Sequence, residues 1–352
     1  SARWATSGKA ILYLLDEGSL NSLVERAVSG GGRKFGSAAR VIQRGMPQLF
    51  NWFSSSRDER LALGEVYTID NLESFDLRAA NGHPRRIAVA PGSYFNTPYL
   101  SPDGKRVALG TGDYQGWNAF VIPTDGGDMS ALTHAQAPAA EHAVGWMNDG
   151  RRVVLLSTQN RRSMLSLLDV NTGRMRALDQ ANAVAIVGLG QTAFEVAGGQ
   201  VAYISKGVLS RIDTIAGKST VIAKIDGELR RVSPDGRRIA VFGNEPVEAP
   251  LSIVDVETGK ITRIAVLPRP FGAVIGWGRD GSLYLPKRTD AGFEIWRMPE
   301  TGGTPVKFAT VPGRCWPYGT DLAVEAKRAV CYSTDVYPDI WMLEPPGAVA
   351  KK

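Results

Sequence analysis

Residues 98–127 read PYLSPDGKRVALGTGDYQGWNAFVIPTDGG, and they hold one complete structural unit. A short apolar segment stops at Ser101-Pro102-Asp103-Gly104, where proline presets φ and glycine supplies the positive φ of a tight turn. The chain returns through Val107, Ala108 and Leu109, a run short and β-prone enough for a buried strand. A glycine- and aromatic-rich loop leads to a second apolar run over 119–122, which ends in the turn Asp125-Gly126-Gly127. Three strands separated by two such turns make an antiparallel meander.

The unit recurs. With the first-turn glycine as origin and an apolar residue three positions on, the clear members are Gly104 with Val107, Gly150 with Val153, Gly236 with Ile239 and Gly281 with Tyr284. Gly8 with Ile11 and Gly198 with Val201 also fit, while Asp58 with Leu61 and Ala326 with Ala329 keep the strand and lose the glycine. The anchors at 8, 58, 104, 150, 198, 236, 281 and 326 are spaced by 50, 46, 46, 48, 38, 45 and 45 residues. That is the period of four-stranded propeller blades. One such meander has two apolar faces and cannot bury both alone, so blades stack face to face, and closing the row into a ring leaves no sticky end. The expectation is therefore an all-β protein, a single β-propeller over residues 1–352 with eight four-stranded blades. Their approximate bounds are 1–40, 41–90, 91–135, 136–182, 183–225, 226–267, 268–311 and 312–346. Seven blades is the alternative count, and a β-sandwich or β-solenoid the alternative fold. The fifth blade is expected to have residues 183–189 as its innermost strand, and the last to lack its outermost strand.

Composition narrows the function classes. With 43% hydrophobic and 22% charged residues the chain is ordinary for a globular protein, and no apolar run reaches the length of a helical membrane span. A net charge of +6 is mild for 352 residues and does not amount to a nucleic-acid footprint. Ser1 in place of methionine is what an excised or processed piece would show. If the last hairpin turns near residue 326, Cys331 faces residue 320, about 16 Å from Cys315 along an extended strand at ~3.3 Å per residue. A bridge needs Cα atoms within about 7 Å, so two free thiols are expected.

The turns Leu100-Ser101-Pro102-Asp103-Gly104-Lys105 and Val232-Ser233-Pro234-Asp235-Gly236-Arg237 resemble the repeat of the TolB-like propellers, Trp-Ser-Pro-Asp-Gly-Lys before a β-strand; residues 146–150 and 277–281 match it in part. The resemblance covers essentially the whole chain as a fold assignment. It implies kinship with periplasmic TolB, with the gating domain of prolyl-oligopeptidase-like enzymes, and with propellers attached to bacterial signalling proteins. TolB itself carries an N-terminal α/β domain and about six blades, and the closing residues 339–344 are more like the signalling-attached propellers. An extracytoplasmic, periplasmic location follows from the resemblance, with the cytoplasm as the alternative.

Function must be read from the site, because fold does not fix it. In a propeller the loops between blades, and those joining second and third strands, gather on the rim opposite the Ser-Pro-Asp-Gly turns. That rim is where binding groups are expected. The candidates there are Tyr94, Tyr114, Trp117, His142, Arg161, Arg162, Arg230, Arg269, Arg288, Arg314, Trp316 and Tyr318. Arginine and aromatic side chains together give large contact area and bidentate hydrogen bonds. The turn aspartates Asp103, Asp149, Asp235 and Asp280 are expected to cap their own turns, and the basic pairs that follow them to snorkel into solvent. Of the histidines His83, His134 and His142, the last two flank one inter-blade loop with no third His or Cys near them, so no metal is expected, and no cofactor is expected either. There is no Gly-x-Ser-x-Gly elbow, Walker loop or dinucleotide fingerprint. The leading expectation is a non-catalytic binding or sensor propeller for a protein or small ligand, one module of a larger bacterial signalling or envelope protein. The alternatives are the gating propeller of a serine peptidase lacking its hydrolase domain, and a propeller enzyme with an active site at the channel mouth.

Overall fold

The computed structural model describes residues 2–5, 7–16, 20–30, 32, 34–47, 50–56, 60–78, 84–91, 94–113, 116–159, 162–178, 193–268, 270–290, 292–312, 315 and 319–343. They form strands and turns, and no helix long and apolar enough to cross a membrane occurs among them. The chain divides into two compact units, residues 1–69 with 335–352, and residues 70–334.

In the first unit β1 (Ala2–Trp4), β2 (Ala10–Asp16), β3 (Leu20–Ser29) and β4 (Lys34–Pro47) form one antiparallel sheet in chain order. The β1–β2 turn uses Gly8 at φ 64°, as the repeat requires. Strand β5 (Phe50–Ser55) pairs with the first part of β6 (Leu61–Asp76). The buried cluster here is Leu12, Leu23, Met46, Phe53, Leu61 and Leu63.

The second unit begins within β6, which pairs with β7 (Arg85–Pro91). Blade 1 follows, with β8 (Tyr94–Phe95) and β9 (Tyr99–Leu100) as its interrupted innermost strand, then β10 (Arg106–Asp113), β11 (Gly116–Pro123) and β12 (Ser130–Ala131). Blade 2 is β13 (Ala140–Trp146), β14 (Arg152–Gln159), β15 (Arg162–Asp169) and β16 (Met175–Ala177). Blade 3 is β17 (Phe194–Val196), β18 (Gln200–Ser205), β19 (Val208–Asp213) and β20 (Ser219–Lys224). Blade 4 is β21 (Glu228–Val232), β22 (Arg238–Phe242), β23 (Glu248–Asp255) and β24 (Ile261–Pro268). Blade 5 is β25 (Gly276–Trp277), β26 (Ser282–Thr289), β27 (Gly292–Pro299) and β28 (Val306–Pro312). Blade 6 has β29 (Thr320–Ala323) innermost, then β30 (Arg328–Leu343), then β6 and β7. The innermost strands neighbour one another in succession, and β29 returns to β9, although the sheets do not merge edge to edge into one closed sheet.

The stacking argument holds strand by strand. On β14, Val154 and Leu156 enter the layer shared with Val201, Tyr203 and Ile212 of blade 3. Val153 and Leu155 enter the layer shared with Ala108 and Ala119 of blade 1. Both faces are buried, which is why the strand reads as a continuous apolar run and not an alternation.

The turn chemistry is also as the sequence predicts. Asp103 Oδ1 accepts hydrogen bonds from the Ser101 hydroxyl (2.6 Å) and the Lys105 N–H (3.0 Å), and Ser101 Oγ accepts from the Arg106 N–H (3.0 Å). The turn at Ser233 and Asp235 repeats these bonds. The two turns that match the motif only in part show why proline suits this position. Proline has no N–H, whereas Asn148 and Arg279 each bring one, satisfied by a glutamate of the next blade: Glu195 at 2.6 Å and Glu325 at 3.0 Å. Burial alone would raise Asp103 and Asp235, but the serine and backbone hydrogen bonds and the following basic residues hold both below the ordinary carboxylate range. A depressed folded pKa gives stability that is present above the unfolded value and lost as pH falls through the folded one. The melting temperature is therefore expected to hold from pH 7 to about 5 and to fall below about pH 4. Asp103→Asn with Asp235→Asn should flatten that acid limb in a calorimetric pH series.

Gly236 is fixed by two demands. Its φ is +72°, and a Cβ there would lie 2.4 Å from the Ala197 nitrogen of blade 3, whose N–H bonds the Gly236 carbonyl at 2.9 Å. Gly173 has a similar φ of +69° with nothing within 4 Å. Gly173→Ala is expected to cost about 1 kcal/mol, and Gly236→Ala about 2–4 kcal/mol by adding a backbone clash. Equal losses in urea denaturation would refute the blade-to-blade contact.

Several expectations require correction. Among the described residues, those of 70–334 form six four-stranded meanders, and residues 1–69 with 335–352 form a separate compact unit that holds the four-stranded sheet β1–β4. The expected second blade fails because residues 61–76 form one continuous strand. The last blade does not lack its outer strand, since β6 and β7 supply its two outer strands from the N-terminal side. In blade 3 the innermost strand is β17; residues 183–189 lie outside the described residues. Cys315 and Cys331 are not free thiols but a disulfide with Cα atoms 5.7 Å apart. Cys331 does face Thr320, yet β29 starts only at Thr320, so Cys315 is not carried away along an extended strand. Closing a loop of about 16 residues contributes roughly 3 kcal/mol, and reduction is expected to lower the denaturation midpoint accordingly.

Candidate functional site

The innermost strands enclose an axial funnel of about 330 Å³ that opens among the Ser-Pro-Asp-Gly turns. Each strand contributes its last residues before the turn, because the apolar segment ends there and the chain must reverse. Tyr99, Trp146, Phe194 and Trp277 give aromatic wall, and Asn148, Glu195, Arg279 and Glu325 stand toward the mouth.

The inner end is closed by a buried ion pair. Arg231 of β21 contacts Asp321 of β29, with side chains only 17% and 6% exposed. Arg231 Nε also donates to the Ile275 carbonyl at 2.8 Å, and its guanidinium lies 5.5 Å from the Phe194 ring centre. Asp321 accepts from the Leu100 N–H at 2.6 Å and the Leu322 N–H at 2.8 Å. Burial pushes the Arg231 guanidinium down to about 10, so it is still charged at neutral pH. Burial pushes the Tyr99 phenol up, which leaves it neutral. One salt bridge thus ties blades 1, 4, 5 and 6 at the axis.

Of the rim candidates, Trp117 and His142 meet on the opposite side, with ring centres 5.0 Å apart and His142 Nδ1 3.5 Å from Asn96 Nδ2. Burial holds His142 below the usual imidazole range. Arg230 is ion-paired with Glu228, and Arg288 is exposed on β26. Tyr94 and Arg162 are placed on β8 and β15 by their backbone alone. Tyr114, Arg161, Arg269, Arg314, Trp316 and Tyr318 lie outside the described residues. Sequence reasoning missed Arg231, Asp321 and the funnel; the available signal was a basic residue inside an innermost strand, where apolar ones are usual. The basic pairs also do more than snorkel. Arg106 stacks over Trp146 at 5.1 Å and Arg238 over Trp277 at 5.6 Å, each bridging to the next blade.

The stacked four-stranded meanders, their turns and the funnel define a β-propeller fold like that of TolB. The solved structures agree: a putative TolB from Agrobacterium tumefaciens superposes with a TM-score of 0.54 at 16% identity, covering 77% of this chain and 99% of that one. TolB from Acinetobacter baumannii gives 0.48 at 11% identity, covering 94% and 81%. A puromycin hydrolase gives 0.48 at 17% identity, covering 87% of this chain and 52% of that one. No family model matches the chain, and no curated protein matches it.

Proposed function

We propose that this is a non-catalytic binding propeller that seats a segment of a partner protein in its axial funnel. The supporting observation is the funnel itself, a concave site with an aromatic wall and a few polar groups. Four of its charged side chains are engaged in the fold: Arg231 with Asp321, Glu195 with the Asn148 N–H and Glu325 with the Arg279 N–H. That arrangement favours recognition over acid–base chemistry. The disulfide supports an oxidising, extracytoplasmic compartment, consistent with one module of a larger bacterial signalling or envelope protein.

A photo-cross-linking amino acid at Asn148, at the funnel mouth, should capture one partner that the same probe at Gly173, on an outer turn, does not. Equal capture from both positions would sink the funnel as the site. The second reading is the opposite rim, favoured by the tilted Trp117–His142 ring contact; capture from Asn96 and not from Asn148 would select it.

A further inference from the structure

The inter-blade layer between blades 5 and 6 is apolar, built from Phe75, Ile275, Phe293, Ile295, Leu322 and Ala329. Glu73 of β6 projects a carboxylate beside it, on the strand that the N-terminal side lends to blade 6. Its Oε2 is 3.7 Å from Cys315 Sγ, and Ser333 Oγ is 3.4 Å from its Oε1. The two sulfurs and a Glu73 oxygen all lie within 4.8 Å of one another.

We propose that reduction of the Cys315–Cys331 disulfide turns this cluster into a thiolate–carboxylate site for a zinc-like divalent cation. A dithiol reductant transfers two electrons and two protons to the disulfide, giving two cysteine thiols and the oxidised dithiol. The cation then binds both sulfurs as thiolates, displacing the two protons, with the carboxylate as third ligand and a water as fourth. The geometry fits. A tetrahedral centre with a sulfur at about 2.3 Å and an oxygen at about 2.0 Å sets those two ligands roughly 3.5 Å apart, close to the 3.7 Å found between Cys315 Sγ and Glu73 Oε2. Two thiolates and one carboxylate select a borderline-soft metal over magnesium or calcium. Oxidised, the bridge joins only β30 to the segment before β29; reduced and metal-loaded, the centre also grips β6, so it fastens the N-terminal strand of blade 6 to the C-terminal ones.

The probe is Co²⁺, titrated into the whole chain after anaerobic reduction and removal of the reductant. One equivalent should give an intense thiolate-to-cobalt band with tetrahedral visible bands, reversed by Zn²⁺, while the oxidised protein gives none. Glu73→Gln should weaken binding at least tenfold. Absence of stoichiometric binding to the reduced protein, or equal affinity in Glu73→Gln, overturns the proposal. Should reduction alone unfold the chain, added Co²⁺ is expected to restore its circular dichroism, and failure to do so overturns it equally.

Discussion

Asp321→Ala is expected to destabilise the 70–334 unit by about 3–5 kcal/mol, the usual cost of stranding one half of a buried ion pair. Three partners lose their acceptor at once: the Arg231 guanidinium and the Leu100 and Leu322 N–H groups. An exposed pair would be worth under about 1 kcal/mol, so the size of the loss reports burial directly. Replacing both residues, Asp321→Leu with Arg231→Met, should recover part of it, since the charge is no longer stranded. The measurement is urea denaturation followed by tryptophan fluorescence. A single-variant loss below about 1 kcal/mol would mean that the pair is solvated and that the funnel has no sealed floor.

Trp277→Ala is expected to cost a similar amount, about 3–5 kcal/mol. Its ring is 6% exposed, its Nε1 donates to Glu300 at 2.8 Å, and the Arg238 guanidinium lies 5.6 Å from the ring centre while also pairing with Glu300. Trp277, Arg238 and Glu300 therefore form a clamp between blades 4 and 5. Trp277→Phe keeps most of the packing and should lose about 1–2 kcal/mol, the hydrogen bond and part of the stack. A double-mutant cycle with Arg238→Ala should give a coupling of about 0.5–2 kcal/mol. Additivity within about 0.3 kcal/mol would show that the two residues do not act together.

Much of the fold was legible in the chain because the repeat is local. Ser101, Asp103 and Gly104 satisfy one another within a few residues, so a tight turn is written into four consecutive letters. The continuous apolar run on β14 announces burial on both faces before any neighbour is known. The local pattern does not by itself say which compact unit a repeat joins. Gly8 makes the same turn in the first unit as Gly104 in the second, and nothing local separates them.

The candidate site was less legible, because its members come from different blades. Arg231 and Asp321 are ninety residues apart in sequence, and only the stacking of innermost strands brings their charges into contact. The rim was reachable by topology alone to the extent that Trp117 and His142 meet. The disulfide was not, since it depends on where β29 starts.

The chain by itself determined the strand-and-turn alphabet: which residues turn, which are buried on both faces, and that such units must stack. Tertiary structure decided how many units join one ring, which segment completes the last blade, and which charge meets which at the axis. The division has a physical cause. Turns and strand periodicity arise from interactions over a few residues, whereas ring membership and ion pairing depend on surfaces that only come together after the strands have formed.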